Sequence, residues 1–153
     1  MALPTSIELQ IVVPDRAIVK EQVDEVEIPG VDGYFGVLPG HTPLLAALSV
    51  GEMWYRKGQE KTYLAIAFGF AEVLPDRVTI LAQLAERAEE IDITRAEESK
   101  KRAESRLTAP RADVDYERAR GALVKSLARL QVASRSHQFA GRVGRHRMPP
   151  PQG

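Results

Sequence analysis

The sequence predicts an α+β protein in which an antiparallel β-sandwich or barrel is followed by two helices. In residues 1–86, turn signals recur about every 8–12 residues between short apolar segments. Residues 94–134 instead place apolar side chains at i, i+3 and i+4 within Ala-, Glu-, Lys- and Arg-rich sequence. The charge also changes sign, with 6 basic and 12 acidic residues in 1–86 but 15 and 9 in 87–153. We therefore place a domain boundary between residues 86 and 87.

Each predicted strand is a short segment with period-2 alternation or β-branched and aromatic side chains, bounded by Pro, Gly or Asp. The turn at residues 57–59 contains Gly58 and predicts a hairpin between its two neighbouring strands. The turn at Pro75 and Asp76 separates the last two strands in the same way. The predicted strands are residues 7–13, 23–28, 52–56, 62–68, 70–74 and 77–81.

Two helices are expected in the second domain, residues 87–134. Asp92 or Thr94 can cap the first helix, which should extend to about residue 107. The segment 109–113 breaks it, and a second helix should follow as far as about Ser134. The short connection predicts an antiparallel hairpin. Its apolar seam is rich in Ala and Ser, which bury little area, so we expect the hairpin to be held loosely.

Residues 135–153 form a basic tail that ends in a proline-rich segment. The tail contains four Arg and two His but no Asp or Glu. Such a composition is typical of chains that do not fold, and we expect the tail to be disordered.

Two columns of basic residues have the same spacing, i, i+7 and i+11, on the two predicted helices. At about 100° per residue, each column lies on one side of its helix. Antiparallel pairing would bring both columns to one face of the hairpin, where six cations suit a triphosphate or an acidic protein surface. The alternative is a solvated basic face that pairs with nearby glutamates. The columns are Arg95, Arg102, Arg106 and Arg118, Lys125, Arg129.

Other chemistry has little support in the sequence. With 21 basic and 21 acidic residues the chain is not a uniformly basic nucleic-acid binder. It has no Cys, and its three His are dispersed, so no metal site is predicted. No phosphate-binding loop or Gly-x-Ser-x-Gly motif occurs. We interpret His41 as a structural loop residue and expect no catalysis by this chain alone.

Targeting signals are not predicted either. Residues 1–13 have no basic segment and carry Glu8 within their apolar stretch, unlike a signal peptide. The longest uncharged stretch, residues 33–51, contains four Gly and two Pro and so is not a spanning helix. We expect a soluble chain that reaches a membrane only through partners.

Several segments of the chain resemble segments of the epsilon subunit of F-type ATP synthases and follow one another in the same order. The most specific is residues 33–45, GYFGVLPGHTPLL, followed by GFAEV at 69–73. The sequence IDITRA at 91–96 is similar to the start of that family's first C-terminal helix, and DVDYERA at 113–119 to its second. The resemblance covers about residues 5–134.

The resemblance implies a flattened ten-stranded β-sandwich followed by an α-helical hairpin, in a non-catalytic subunit of the central stalk. In that family the sandwich binds the gamma subunit and the ring of c subunits, and couples proton flow to ATP synthesis. The hairpin can extend into the catalytic alpha/beta head and inhibit ATP hydrolysis. The expected location is the cytoplasmic face of the inner (plasma) membrane, as a peripheral protein.

The resemblance also implies roles for particular residues. No cofactor is expected to be required, but some relatives bind ATP as a regulatory ligand through matching positions. Lys125 stands where those relatives have Arg, and Phe70 where a second Gly is common after Gly69. The six basic residues named above would form the inhibitory face, and the implied gamma and c-ring contacts include Asp32, Tyr34, Gly40, His41 and Pro43. The implied ATP-binding positions are Glu86, Ile91, Asp92, Arg95, Ala96, Arg102, Lys125 and Arg129.

Two alternatives remain at this point. One is a free-standing nucleotide- or anion-sensing regulatory module with a β-sandwich interaction domain. The other is a nucleic-acid-binding protein that uses the basic C-terminal part.

Overall fold

A computed structural model describes residues 2–109 and 113–143 of the chain, with the side chains of 113, 114 and 137–143 outside the description. Seven strands precede a short 3-10 helix and two α-helices. The strands are β1 Ile7–Val13, β2 Arg16–Val23, β3 Glu25–Gly30, β4 Gly33–Val37, β5 Leu44–Lys57, β6 Glu60–Val73 and β7 Arg77–Arg87. The 3-10 helix is Ala88–Glu90, and the α-helices are α1 Ile93–Thr108 and α2 Asp113–Val143.

The seven strands form one hydrogen-bonded sheet in the order β2-β1-β7-β6-β5-β3-β4. Only the β1–β7 pair in that sheet is parallel. All seven strands contribute to a single apolar core, from Ile7 on β1 to Val37 on β4. The sheet must therefore fold over on itself, which confirms the predicted β-sandwich. It has seven strands rather than about ten because β5 and β6 are each a single strand of 14 residues.

The long strand β6 contains an irregularity at its middle. Before the irregularity, Leu64 and Ile66 point into the core, and after it Ala71 does. The side chains that face the core therefore change from even-numbered to odd-numbered positions. The shift falls at Phe68 and Gly69, which have φ values of 54° and 132°. A Cβ on Gly69 would overlap the carbonyl oxygen of Leu81 on β7, so only glycine fits there.

The unusual backbone conformation in this segment is at Phe68 rather than at Phe70. Phe68 has the positive φ that a glycine adopts without strain, whereas Phe70 is not among the positive-φ residues. Phe70 is instead 57% exposed on the outside of the sheet. A bulky residue in the left-handed region indicates backbone strain at Phe68.

The two helices pack through small side chains. Asp92 caps α1, because its Oδ1 accepts a hydrogen bond of 3.0 Å from the backbone N–H of Arg95. Small residues on both helices are buried, among them Ala103 on α1 and Ala119 and Ser126 on α2. The predicted Ala- and Ser-rich seam is therefore present.

The hairpin docks against the sandwich through a second, smaller apolar cluster. This cluster contains Ala65, Ala88, Ile91, Val132 and Ala133. Four of its five members are Ala or Val, so the docking interface buries far less apolar volume than the sandwich core. No helix in the described ranges is both long and apolar enough to cross a membrane.

The end of α2 differs from the prediction. The helix was expected to end near Ser134 and a disordered tail to begin at residue 135, but α2 continues to Val143. No proline lies between Pro110 and Pro149, so no proline interrupts the helix between Ser134 and Val143. Arg135 also contacts the sandwich, which extends the docked part of α2. Residues 144–153 of the predicted tail lie outside the described residues.

A cleft between the hairpin and the sandwich

A cleft of about 410 Å³ opens where the end of β7 meets α1 and α2. Its walls combine acidic and basic side chains with few apolar ones. Six of the eight residues implied by the family resemblance line it, and Ile91 and Lys125 do not. The lining residues are Glu86, Glu90, Asp92, Arg95, Ala96, Ser99, Arg102 and Arg129.

One ion pair closes the floor of the cleft. Arg129 on α2 donates to both carboxylate oxygens of Glu86 on β7, from Nε at 3.0 Å and from a terminal nitrogen at 2.8 Å. The two side chains are only 27% and 32% exposed. Bidentate, charge-assisted bonds of this kind fix a guanidinium in orientation as well as position. The pair therefore holds α2 at a defined place beside the last strand.

The start of α1 forms one wall. The Asp92 carboxylate is engaged in capping the helix, and Ala96, one turn later, is only 3% exposed. Ile91, 8% exposed, belongs to the apolar cluster under the hairpin, so its role is packing. The Ile-Asp-x-x-Arg-Ala segment thus sets the helix start and brings Arg95 to the cleft.

Two arginines in the cleft have no acidic partner among the described side chains. Within that part of the chain, neither Arg95 nor Arg102 has a carboxylate oxygen within 4.0 Å. The ion pair within α1 in that region joins Lys100 to Glu104 at 3.9 Å. The alternative interpretation, in which the column arginines pair with neighbouring glutamates, is therefore not supported for Arg95 and Arg102 among the described side chains. Their charge is available to an anion.

A second cleft of about 370 Å³ adjoins the first and shares Ser99 and Arg129 with it. Arg118 and Lys125 line this second cleft. The Lys125 ammonium lies 5.4 Å from the centre of the Phe68 ring, within the range of a cation–π contact. Five of the six column residues therefore face the two clefts, and Arg106 lines neither.

Sequence reasoning missed six lining residues of these clefts, among them Ser99, Glu90 and Phe68. Ser99 follows Arg95 by one turn of α1, so helical spacing could have identified it. Glu90 precedes the cap of α1 by two residues and carries no motif of its own. Phe68 is brought to the hairpin by the strained turn within β6, which no local pattern predicts.

The predicted partner residues fall at two separate places. Asp32 lies in the turn between β3 and β4, and Tyr34 on β4 uses its hydroxyl to accept a 3.2 Å bond from the Glu52 N–H. The second group, at residues 40–43, follows the other end of β4. There the Gly40 N–H donates to the Pro75 carbonyl at 2.7 Å. His41 Nδ1 lies 2.6 Å from the Thr42 carbonyl oxygen, a bond within its own loop.

An exposed apolar surface on the sandwich was not predicted. Phe70 lies opposite Ala47 on β5 and Leu81 on β7, so these side chains share one face of the sheet. Leu45, two residues before Ala47, points the same way and is 71% exposed. Phe70 and Leu81 are 57% and 54% exposed. A contiguous apolar surface of this kind is typical of a protein-binding face.

The fold and the cleft define a two-domain protein whose helical hairpin docks on the side of a β-sandwich. The family model for the beta-sandwich domain of the ATP synthase delta/epsilon chain matches residues 6–88. The model for the long alpha-helix domain of the same chain matches residues 89–134. The chain therefore belongs to the ATP synthase delta/epsilon chain family.

Individual relatives agree with this membership. The ATP synthase epsilon chain of Koribacter versatilis is 59% identical over 100 residues, covering 65% of this chain and 70% of the relative. That of Nitratidesulfovibrio vulgaris, strain DP4, is 48% identical over 127 residues, covering 83% and 95%. A chain in the cryo-EM structure of Euglena gracilis mitochondrial ATP synthase with OSCP, F1 and c-ring is 26% identical, with a TM-score of 0.78. That match covers 88% of this chain and 84% of the other.

The resemblance inferred from the sequence is thus confirmed. The chain is a non-catalytic subunit of the ATP synthase central stalk and serves ATP synthesis by that complex. This membership supports the stalk-subunit interpretation rather than the free-standing module considered above.

Proposed function

We propose that this chain regulates ATP hydrolysis by its own complex, and that ATP bound in the first cleft keeps the hairpin docked. The observation that supports this most directly is the convergence of Arg95, Arg102 and Arg129 from two helices on one cleft beside Glu86. The cleft volume lies within the roughly 300–1,000 Å³ that small-molecule sites occupy.

The chemistry of the cleft suits a phosphate ligand. Guanidinium groups match phosphate oxygens with two parallel hydrogen bonds, and two of the three arginines lack a carboxylate partner within the described residues. A triphosphate that contacts both α1 and α2 would bind only the docked hairpin and would stabilise that state by mass action. Lys125 lies outside the first cleft and lacks the planar fork, so it would contribute charge rather than a clamp.

Release of the hairpin would expose the same cations. In an extended state, the basic column residues could face acidic surfaces of the catalytic alpha/beta head and block rotation. ATP and the head would then compete for one set of side chains, so each would weaken the binding of the other. The complex would hydrolyse least ATP when the nucleotide is scarce.

We propose that the apolar face around Leu45, Phe70 and Leu81 binds the gamma subunit. The exposed turn at Asp32 and Tyr34, with the loop at residues 40–43, would contact the c ring. Both contacts would hold the chain at the cytoplasmic face of the inner (plasma) membrane through the complex. Gel filtration of the chain with gamma tests the first contact. Phe70→Ser should abolish co-elution, whereas Gln59→Ser, in the exposed turn between β5 and β6, should not.

Calorimetric titration of the intact chain with ATP tests the cleft. Arg95→Gln and Arg102→Gln should each weaken binding by about tenfold or more, since a hydrogen bond to a charged group contributes about 1.5–3 kcal/mol. Lys101→Gln, on an exposed position of the same helix, should leave binding unchanged. Equal affinities for all three variants, or no heat with the intact chain, would contradict the ATP site.

Inhibition is tested separately, with a catalytic head complex from which this subunit has been removed. The intact chain should lower the rate of ATP hydrolysis, and a version that ends at Glu90 should bind without lowering it. If both versions bind and neither inhibits, the chain acts in coupling and assembly alone.

A further inference from the structure

A second ion pair joins the hairpin to the sandwich, away from the nucleotide cleft. Arg135 on α2 donates to both oxygens of Glu52 on β5, at 3.2 and 3.1 Å. The Arg135 guanidinium also lies over the Tyr63 ring, 5.1 Å from its centre. Arg135 follows the point where the sequence pattern placed the end of the hairpin, so this contact depends on the extra length of α2.

Glu52 belongs to the sandwich and is fixed there. It is 8% exposed, its backbone N–H donates to the Tyr34 hydroxyl, and it lies opposite Ala65 in the β5–β6 ladder. A carboxylate this deeply buried is costly without a partner of opposite charge. Arg135 is that partner, and the hydrogen bonds and charge of Glu52 raise the pKa of its guanidinium. The 8% exposure of Glu52 is that of the docked state, so docking of α2 both covers this carboxylate and supplies its partner.

This pair is independent of the proposed ligand site. Arg135 lies six residues beyond Arg129 and lines neither of the two clefts described above. We infer that the Glu52–Arg135 pair is a nucleotide-independent latch, which sets the fraction of molecules with a docked hairpin before ATP binds. Its consequence for ATP hydrolysis rests on the proposed function, but the latch itself does not.

The latch can be tested by measuring hairpin docking directly in the full chain. The protein has no Cys, so Gln59→Cys and Gln131→Cys introduce a unique pair of labels on the sandwich and on α2 for pulsed-EPR distances. Without ATP, Arg135→Gln should reduce the ratio of docked to undocked molecules about tenfold, as expected for losing charge-assisted hydrogen bonds. Arg120→Gln, an exposed change on the same helix with the same loss of charge, should leave the ratio unchanged.

A second variant guards against loss of folding. Arg135→Gln leaves a buried carboxylate behind, whereas Glu52→Gln keeps the shape of the side chain and removes its charge. Both single variants should lower the docked ratio, Arg135→Gln more than Glu52→Gln because it leaves the carboxylate buried without a partner. The double variant should lower the ratio by less than the two single effects combined, because both changes remove the same interaction. Circular dichroism confirms that the sandwich is intact.

Addition of millimolar ATP separates the two proposals. In Arg135→Gln, ATP should still raise the ratio of docked to undocked molecules. In Arg129→Gln, ATP should leave that ratio unchanged. If Arg135→Gln or Glu52→Gln shows the same ratio of docked to undocked molecules as Arg120→Gln, the latch proposal is wrong. If wild-type chain shows no shift with ATP, the proposed ATP site is wrong, while the nucleotide-free comparison still tests the latch.

Discussion

The sandwich and the hairpin are stabilised by different interactions. The sandwich core contains fully buried large side chains, including Ile7, Leu9 and Ile80, drawn from a single cluster that spans all seven strands. The hairpin docks through an apolar cluster made mostly of Ala and Val, together with two bidentate ion pairs. Apolar burial strongly favours a single packed structure, whereas an arginine can leave one carboxylate and bind another anion. The sandwich is therefore suited to fixed attachment and the hairpin to switching.

The largest expected effect is on the sandwich core. Ile80→Ala removes a side chain with no exposed surface and should lower the free energy of unfolding by about 2–5 kcal/mol. The unique Trp54 on β5 gives a fluorescence signal for sandwich unfolding in urea. The matched change on the hairpin, Val124→Ala, removes a side chain that is 40% exposed and should shift the Trp54 transition little. Equal shifts of the Trp54 transition in the two variants would contradict the distinction between a tightly packed sandwich and a loosely packed hairpin.

A backbone substitution in the sandwich should have the next largest effect. Gly69→Ala forces a side chain into a left-handed conformation and against the Leu81 carbonyl, so we expect a loss of about 3 kcal/mol. Gly36→Ala is the control, because a Cβ at Gly36 has no neighbour within 4 Å and its φ is not positive. The same urea titration measures the stability of both variants. If Gly69→Ala is as stable as Gly36→Ala, the backbone around the irregularity in β6 can rearrange to accept a side chain.

An overpacked helix seam should affect the hairpin alone. Ala103 is 2% exposed, and Ala103→Leu should cost about 1–3 kcal/mol of helix pairing because the seam accepts only small side chains. Thermal melting followed by circular dichroism at 222 nm should begin at lower temperature. The Trp54 transition should keep its midpoint, and a matching decrease there would mean that the two domains unfold as one unit.

The smallest predicted effect concerns the Glu86–Arg129 pair. Because both side chains are partly exposed, Arg129→Gln should weaken docking by only about 1 kcal/mol. Chymotrypsin should then cleave within α2 several times faster, since cleavage follows the population of the open form. Arg120→Gln should leave the cleavage rate unchanged. Equal cleavage rates for the two variants would mean that the Glu86–Arg129 pair does not contribute to docking.

Local patterns predicted most of the fold and much of the cleft. Alternation gave β1, most of β3 and parts of β5, β6 and β7, but it missed β2 and β4 and divided β6 in two. Capping chemistry gave the start of α1 at Asp92, and helical spacing brought Arg95 and Arg102 to one side. These features depend on neighbours within a few residues of one another. Helical periodicity fixes which side chains share a face before any tertiary contact forms.

What escaped prediction depends on how distant segments meet. Glu52 and Arg135 are 83 residues apart, and nothing near either residue indicates the other. The positive φ of Phe68 coincides with a gap in the β6–β7 ladder, between the Ala67–Leu84 and Gly69–Ala82 pairs. The helix beyond Ser134 was mistaken for a tail because its composition is basic, although Arg135 has a buried partner. Long-range pairs of this kind require the placement of one domain on the other.

Hydrogen exchange of the intact chain tests most directly the claim that the hairpin is a separately releasable element held by charge. Exchange would be followed at about 0.05 M and about 0.5 M NaCl, which strongly changes screening between partly exposed charges. We predict that residues 93–108 and 113–134 exchange through local opening, faster than the core strands and faster still at high salt. The core strands β1, β6 and β7 should exchange at rates that salt changes little. Equal protection of hairpin and sandwich, with no effect of salt on either, would contradict the account.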